Sequence, residues 1–311
     1  MSDIDIQQFG LGAIPSPEDE RDYPIEGLYA LTGREKALVI PASYTVPTPA
    51  APVLDQGTTP QCVAFSTAAM KVYQDTRDTG PFDPDEALFF AAIGGGPNGA
   101  VVRNAFDQLV KAGYPEKMTG RAALHKIGSY WRVPVTLPEF QAALMAFGPI
   151  VVGMSWLNSM FRPASNGVLT CDQASGIAGG HAIYVEGWIV IGGQTYLIPH
   201  NSWGASWGIN GRAYLPVSAL SLIGEAWKAQ DVIETPAGTL KVVNRHPDVK
   251  TATVIDAVRL IDCNGVLVIP TPRVYRTIEA ATIGGRYPGP AHSVVQDGQT
   301  VWLLDRNAVL S

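Results

Sequence analysis

Apolar positions recur at helical spacing through the first half of the chain and at strand spacing through the second. Between Thr59 and Thr76, residues Ala64, Phe65, Ala68, Ala69 and Val72 share one helical face. Thr59 is placed to cap this helix. Pro60 suits its first position, where a missing N–H costs nothing. Further helices are expected over 84–93, over 100–112 with Gly113 as the stop, and over 138–147, ended by Gly148-Pro149. From Ile150 the pattern changes. The runs 150–156, 181–191, 194–203 and 211–216 are short, β-branched and aromatic, with glycine turns between them. Helices first and strands after predict an α+β architecture of two lobes packed face to face.

The ends of the chain read differently. Residues 1–45 include the proline- and charge-rich stretch IPSPEDERDYP and show weak periodicity, so they are expected to form an extended arm lying on the domain of residues 46–230. Beyond 230, strand-like segments are split by turns. Asn264-Gly265 and Asp297-Gly298 are hairpin dipeptides, so residues 236–311 are expected to form a small all-β barrel. The closing pattern from Asp297 to Leu303 resembles the last hairpin of bacterial SH3-like domains.

Composition narrows the function. With 46% hydrophobic and 16% charged residues, the chain has ample material for a core. Its 32 Gly and 24 Pro point to many turns. A net charge of −6 argues against a nucleic-acid-binding surface, which needs a basic stripe. Cys62, Cys171 and Cys263 are odd in number and lie far apart, giving neither a full disulfide framework nor metal-ligand spacing. No cofactor and no metal are called for. The N-terminus has no basic segment followed by an apolar run, and no stretch approaches the roughly 18 apolar residues of a membrane span. Synthesis in the cytoplasm is expected, with the final site of action open.

One segment carries candidate chemistry, Gln56-Gly57-Thr58-Thr59-Pro60-Gln61-Cys62-Val63-Ala64-Phe65-Ser66. Cys62 falls in the first turn of the expected helix, where free N–H groups and the helix dipole stabilise a thiolate. The Gln56 amide, six residues earlier, can reach back and form a two-donor oxyanion hole with the Cys62 N–H. A base must come from elsewhere. His181 follows Gly179-Gly180 and opens an apolar strand, so it can face a cleft. His200 and Asn201 are neighbours in the next strand and point to opposite faces. Asn201 can accept from an imidazole N–H and orient the ring. Singly, each is weak: a lone Cys is usually core and a lone His structural. The carboxylates Glu186, Asp172 and Asp262 show no paired spacing and read as solvated or turn residues. Gly94-Gly95-Gly96-Pro97-Asn98-Gly99 also fits G-x-G-x-x-G. A dinucleotide site fails on context, since no strand clearly precedes the run and no second βα unit follows.

Together these segments resemble papain-like (C1 family) cysteine peptidases. Gln56-Gly57 with Cys62 to Ser66 is similar to their nucleophile motif and Gly180-His181-Ala182-Ile183 to their histidine motif. Asn201-Ser202-Trp203-Gly204 through Trp207-Gly208 to Gly211 is similar to their Asn-Ser-Trp-Gly motif. The order Cys, His, Asn agrees, as do separations of 119 residues (62 to 181) and 139 (62 to 201). The resemblance spans residues 45–225. It implies a two-lobed fold, a helical lobe and a β-barrel lobe, and a peptide or protein substrate. It implies Cys62 as nucleophile, His181 as acid/base, Asn201 as its orienter and Gln56 in the oxyanion hole. Trp203 would shield the His181–Asn201 bond and line the leaving-group side. Asn98, Gly99 and Gly180 would contact an extended substrate strand.

The chain departs from that pattern in three ways. Val63 stands where the family usually has Trp, Thr59-Pro60-Gln61-Cys62 replaces Cys-Gly-Ser-Cys, and residues 1–45 do not match a long helical propeptide. That the arm covers the cleft is a working hypothesis, to be discarded if deleting it leaves activity unchanged. Besides a peptidase, the sequence is compatible with a cell-wall hydrolase that uses the tail as a wall anchor and with an acyl-transferring enzyme. A catalytically dead binding module is disfavoured by the survival of Gln56, Cys62, His181 and Asn201. The lack of a visible signal and the reduced cysteines suit a bacterial or phage protein.

Overall fold

The computed structural model describes residues 9–231, apart from 21, 35, 37–38, 48–50, 79 and 118–124, and five strands between residues 251 and 310. The chain divides into two units. One holds the described residues up to Ile25 and from Lys36 to Asp231; the other holds Glu26–Glu35 and the C-terminal strands.

The first unit is built on helix α2 (Cys62–Asp78), which runs against strand β6 (Ile177–Ile191). The expected single buried face is an underestimate. From Cys62 to Gln74 every position is buried, so α2 is a core helix. Its charges are satisfied inside: Lys71 pairs with Asp75 and Asp231, and His125 Nδ1 lies 2.6 Å from the second Asp75 oxygen. The start also differs. The ladder begins with Phe65 N–H donating to the Gln61 carbonyl, so Cys62 is the first helical residue. Thr59 does not cap the helix; its hydroxyl donates to the Gln56 carbonyl at 2.6 Å and tightens the preceding turn.

Around α2 lie α3 (Glu86–Ala92), capped by the Asp85 carboxylate accepting from Leu88 N–H, then α4 (Val102–Lys111) and α5 (Leu137–Phe147). Residues 100 and 101, expected in the third helix, form instead a short strand, β3 (Ala100–Val101), which pairs in parallel with β1 (Ala13–Ile14) of the arm. The arm is therefore built into the fold. At its far end β2 (Tyr44–Thr45) pairs with Trp188 and Gly187 of β6.

The sheet is antiparallel and open. Its order is β4 (Ile127–Arg132), β9 (Ile223–Asp231), β5 (Ile150–Leu157), β6, β7 (Gln194–His200) and β8 (Leu215–Pro216), with β2 also on β6. The expected β-barrel lobe is thus corrected to an unclosed sheet. Strand β8 is two residues long and ends in Pro216, which has no N–H to continue a ladder around to β4. The mixed α+β class stands. In the second unit, α1 (Glu26–Thr32) is a seven-residue helix that the sequence reading left inside an extended arm. The tail strands β10 (Thr251–Ile255), β11 (Val274–Ala281), β12 (Ala291–Gln296), β13 (Gln299–Leu304) and β14 (Ala308–Leu310) form an antiparallel sheet of order β13-β12-β11-β10-β14. As described it is open, with β13 and β14 at its edges. Cys263, Asp262 and the turn residues Asn264-Gly265 and Asp297-Gly298 lie outside the described residues.

Candidate active site

Four separated segments meet at the start of α2. The Cys62 sulfur faces the backbone amides of Val63 and of Ala182, the residue after His181. His181 lies in mid-strand, opposite Met154 in the β5–β6 register, not at a strand mouth. Its Nε2 lies 2.8 Å from Asn201 Oδ1. That oxygen also accepts from the Ser202 backbone N–H at 2.8 Å, so it faces two donors and Nε2 carries the proton. Nδ1 is then the basic nitrogen, and it is buried with no hydrogen-bond partner, Cys62 included. The Trp203 ring stacks on the imidazole at 4.6 Å and Trp156 meets it edge-on at 4.9 Å, which screens the His181–Asn201 bond from water.

Gln56 reaches the same place. Its side-chain N–H groups donate to Thr59 O at 2.7 Å and to Gly10 O at 3.1 Å. Its carbonyl oxygen accepts from the Ser202 hydroxyl at 2.6 Å. Ser202 therefore aims the Gln56 amide, a role that sequence reasoning missed. The signal was its fixed place between Asn201 and Trp203. Replacing Ser202 by alanine should lower kcat about 10-fold to 100-fold with a smaller change in KM, because one oxyanion donor loses its orientation. Steady-state kinetics on an arm-free chain would check this, and an unchanged kcat would discard the role.

His200 turns away from the cleft, as alternation requires. Its Nδ1 lies 3.3 Å from Glu186, and Arg212 also pairs with Glu186. Glu186 is thus buried and paired, not solvated; Arg212 and His200 hold its carboxyl below the usual range against the opposing effect of burial. Replacing Arg212 by leucine should destabilise the fold by about 1–3 kcal/mol, because it leaves a buried carboxylate with His200 as its remaining charged partner. Urea unfolding would measure this. Asp172 is a turn residue that accepts from Ala174 N–H. Val63 is fully buried in the helix. Trp207 is a core residue whose indole donates to the Phe161 carbonyl at 2.8 Å.

The cleft is occupied by the protein's own arm. Gly10 N–H donates to Gly57 O, Gly12 N–H to Gly180 O and Ala100 N–H to Gly12 O, each at 2.9 Å. The Gly12 amide also contacts the Cys62 sulfur. Phe9 packs on Trp203 at 4.7 Å, and the Trp203 indole donates to Gly10 O at 3.3 Å. The arm is anchored further along, where Ser16 N–H donates to Glu225 at 3.0 Å and Arg103 binds Asp22 at 3.0 and 3.1 Å. Of the expected strand-contact residues, Gly99 and Gly180 touch the arm directly. Asn98 sits exposed at the tip of the Gly96–Gly99 turn, and the hydrogen bond to the arm is made by Ala100, because only past the turn does the backbone run alongside the cleft.

Covered in this way, Cys62 and His181 are both fully buried. Burial pushes the Cys62 thiol up to about 11, against the lowering effect of the surrounding amides. Burial pushes His181 down to about 4, only partly offset by its bond to Asn201. Both groups are neutral at pH 7, so the covered site holds a thiol and an imidazole, not an ion pair. Among the described residues no cluster of His, Cys, Asp or Glu is arranged to hold a metal ion, and no helix is long and apolar enough to cross a membrane.

Residues 94–219 match the family described as papain family cysteine protease. Curated relatives include human cathepsin O, 34% identical over 84 residues, covering 26% of this chain and 24% of that protein. Procathepsin L of Felis catus is 27% identical over 183 residues, covering 51% and 55%. The chain spans about a quarter to a half of these relatives' lengths. Among solved structures, xylellain, a cysteine protease from Xylella fastidiosa, aligns with a TM-score of 0.60 at 21% identity, over 72% of this chain and 97% of that one. A procathepsin B from Trypanosoma congolense aligns with a TM-score of 0.57 at 16% identity, over 71% and 85%. These structures share the fold. Over residues 94–219 the chain is similar to papain family cysteine proteases. The family match begins after Cys62, so the assignment of the nucleophile rests on the geometry around α2.

Proposed function

We propose that the protein is a cysteine peptidase that hydrolyses peptide bonds through a thioacyl-enzyme on Cys62, and that its arm holds it latent. The observation that carries this reading is the convergence on one point of Cys62 at a helix start, an Asn201-oriented His181 with a free Nδ1, and a Ser202-aimed Gln56 amide. In the uncovered site His181 Nδ1 takes the thiol proton and Cys62 Sγ attacks the carbonyl carbon. Gln56 Nε2 and the Cys62 N–H stabilise the oxyanion. The C–N bond then breaks as His181 returns the proton to the departing amine. Water, deprotonated by His181, next attacks the thioester, releases the acid and restores the thiol.

The direction of the arm supports latency. It runs from the Trp203 wall toward Gly99 and Ala100, with the Gly10 carbonyl at the Gln56 donor. The amine of a bond polarised there would depart toward Gly99, away from the leaving-group side assigned to Trp203.

The test is alkylation by an epoxysuccinyl peptide, with the labelled residue found by mass spectrometry. Residues 1–14 are removed, and the cut stops before Ser16 because the following stretch anchors to Glu225 and Arg103. Cys62 in the shortened chain should react at least about a hundredfold faster than Cys171, whose thiol burial pushes up to about 11. The intact chain should react slowly, and a Cys62→Ser chain should show no fast site. Equal, slow labelling of Cys62 and Cys171 in the shortened chain would sink the reading.

A further inference from the structure

The arm is an imprint of the cleft, and its sequence here is Phe9-Gly10-Leu11-Gly12. A Cβ added at Gly10 would stand 1.9 Å from Thr59 O and 2.6 Å from its carbonyl carbon. One added at Gly12 would stand 2.4 Å from Pro60 O and 2.8 Å from Pro60 Cβ. These obstacles belong to the turn before Cys62, mostly to its backbone. That turn cannot easily retreat: Thr59 N–H and hydroxyl both bind Gln56 O, and Thr59 O accepts from Gln56 Nε2. The opposite wall is equally close. A Cβ on Gly99 would meet Gly12 O at 1.7 Å, and one on Gly180 would meet Ala13 O at 2.0 Å. The slot beside the nucleophile is therefore one backbone wide at Gly12 and leaves no room for a side chain at Gly10, two alternate positions on the same side of an extended strand.

The positions between and beyond are roomier. Leu11 packs over Gly179, its Cδ1 3.1 Å from where a Cβ would be. Phe9 packs against the stacked pair of Trp203 and Phe161, with ring centroids 4.7 and 6.0 Å away. A cavity of about 370 Å³ continues past it along Arg162, Ser206 and Trp207.

We infer that the cleft selects extended peptides with glycine at two alternate positions beside Cys62, an apolar residue between them and an aromatic residue against Trp203 and Phe161. A ligand running with the arm's polarity reads aromatic–Gly–apolar–Gly; one of opposite polarity reads Gly–apolar–Gly–aromatic, because alternation puts its glycines in the same two places. The inference deepens the peptidase reading and rests on it for turnover, whereas the selection itself is a matter of binding.

The experiment uses the full chain carrying Gly10→Ala or Gly12→Ala. Each should unseat the arm and speed Cys62 alkylation at least about tenfold over the unaltered chain, with circular dichroism unchanged. Phe9→Ala provides a second opened chain that leaves the slot's width untouched. On these chains the peptides Phe-Gly-Leu-Gly-Ala-Ile and Ile-Ala-Gly-Leu-Gly-Phe are added, each beside versions with alanine for either glycine. At least one glycine peptide should slow alkylation, and its alanine versions should need at least about tenfold more peptide for equal protection. The inference is overturned if Gly10→Ala and Gly12→Ala leave alkylation slow. It is also overturned if no glycine peptide protects or if the alanine versions protect equally. Hydrolysis is read separately by mass spectrometry. Protection by Ile-Ala-Gly-Leu-Gly-Phe, whose polarity is opposite to the arm's, without its cleavage sinks the peptidase reading and leaves the selection standing, whereas equal cleavage of glycine and alanine peptides does the reverse.

Discussion

Replacing Cys62 by serine in the chain lacking residues 1–14 should lower kcat by about 10⁴-fold or more, and replacing His181 by alanine should do nearly the same. The two act as a unit, since the thiolate exists in quantity only beside the imidazolium. The double variant should therefore be little worse than either single one. Asn201→Ala should cost less, because it removes the orienting acceptor at Nε2 and leaves Nδ1 and the thiol in place. Near-additive losses from Cys62 and His181 would mean that they do not share a proton. Residual binding by the inactive chains, read as protection from proteolysis, should persist because the cleft walls are untouched.

Acidification should open the arm of a full-length Cys62→Ser chain, in which no thiol proton is at hand for His181, between pH 6.5 and 4. His181 is held neutral by burial, its folded pKa lowered to about 4 from 6.5. The covered state is thus fully favoured above pH 6.5. It loses about 1.4 kcal/mol per pH unit as the pH falls below that value, because the uncovered imidazole takes up a proton that the covered one refuses. Over the whole window the loss is about 3 kcal/mol, enough to raise the open population by roughly two orders of magnitude. The Gly12 amide, bonded to Gly180 O, is the local probe. Its hydrogen exchange, corrected for the intrinsic rate, should quicken across this range in the Cys62→Ser chain and stay flat when His181→Gln is added to it. A flat profile in the Cys62→Ser chain would rule out His181 as a group that couples pH to the arm.

Much of this site was legible along the chain. The place of Cys62 in the first turn of a helix and the order Cys62, His181, Asn201 are local or serial features. Strand β9 was not legible. Its Glu225 and Lys228 are buried, and they break the apolar pattern by which a core strand is recognised. Distant partners satisfy them: Ser16 and Arg132 bind Glu225, beside its strand neighbour Trp227, and the Pro149 carbonyl accepts from Lys228. Likewise Glu186 read as a solvated carboxylate until Arg212 and His200 were found beside it.

What the sequence by itself determined is the candidate reactive groups and, to within a few residues, helices α2 to α5, because these depend on residue type and near-neighbour spacing. Only the tertiary structure decided that the arm lies across Cys62. It also decided that the sheet stays open and that Ser202 aims Gln56. Gly10 and Gly12 look like ordinary flexible positions in a linear reading. Their necessity appears only where Thr59, Pro60, Gly99 and Gly180, distant along the chain, close to within one backbone's width. The same closure buries Cys62 and His181 and fixes their protonation, since desolvation is a property of the surroundings and not of the residue.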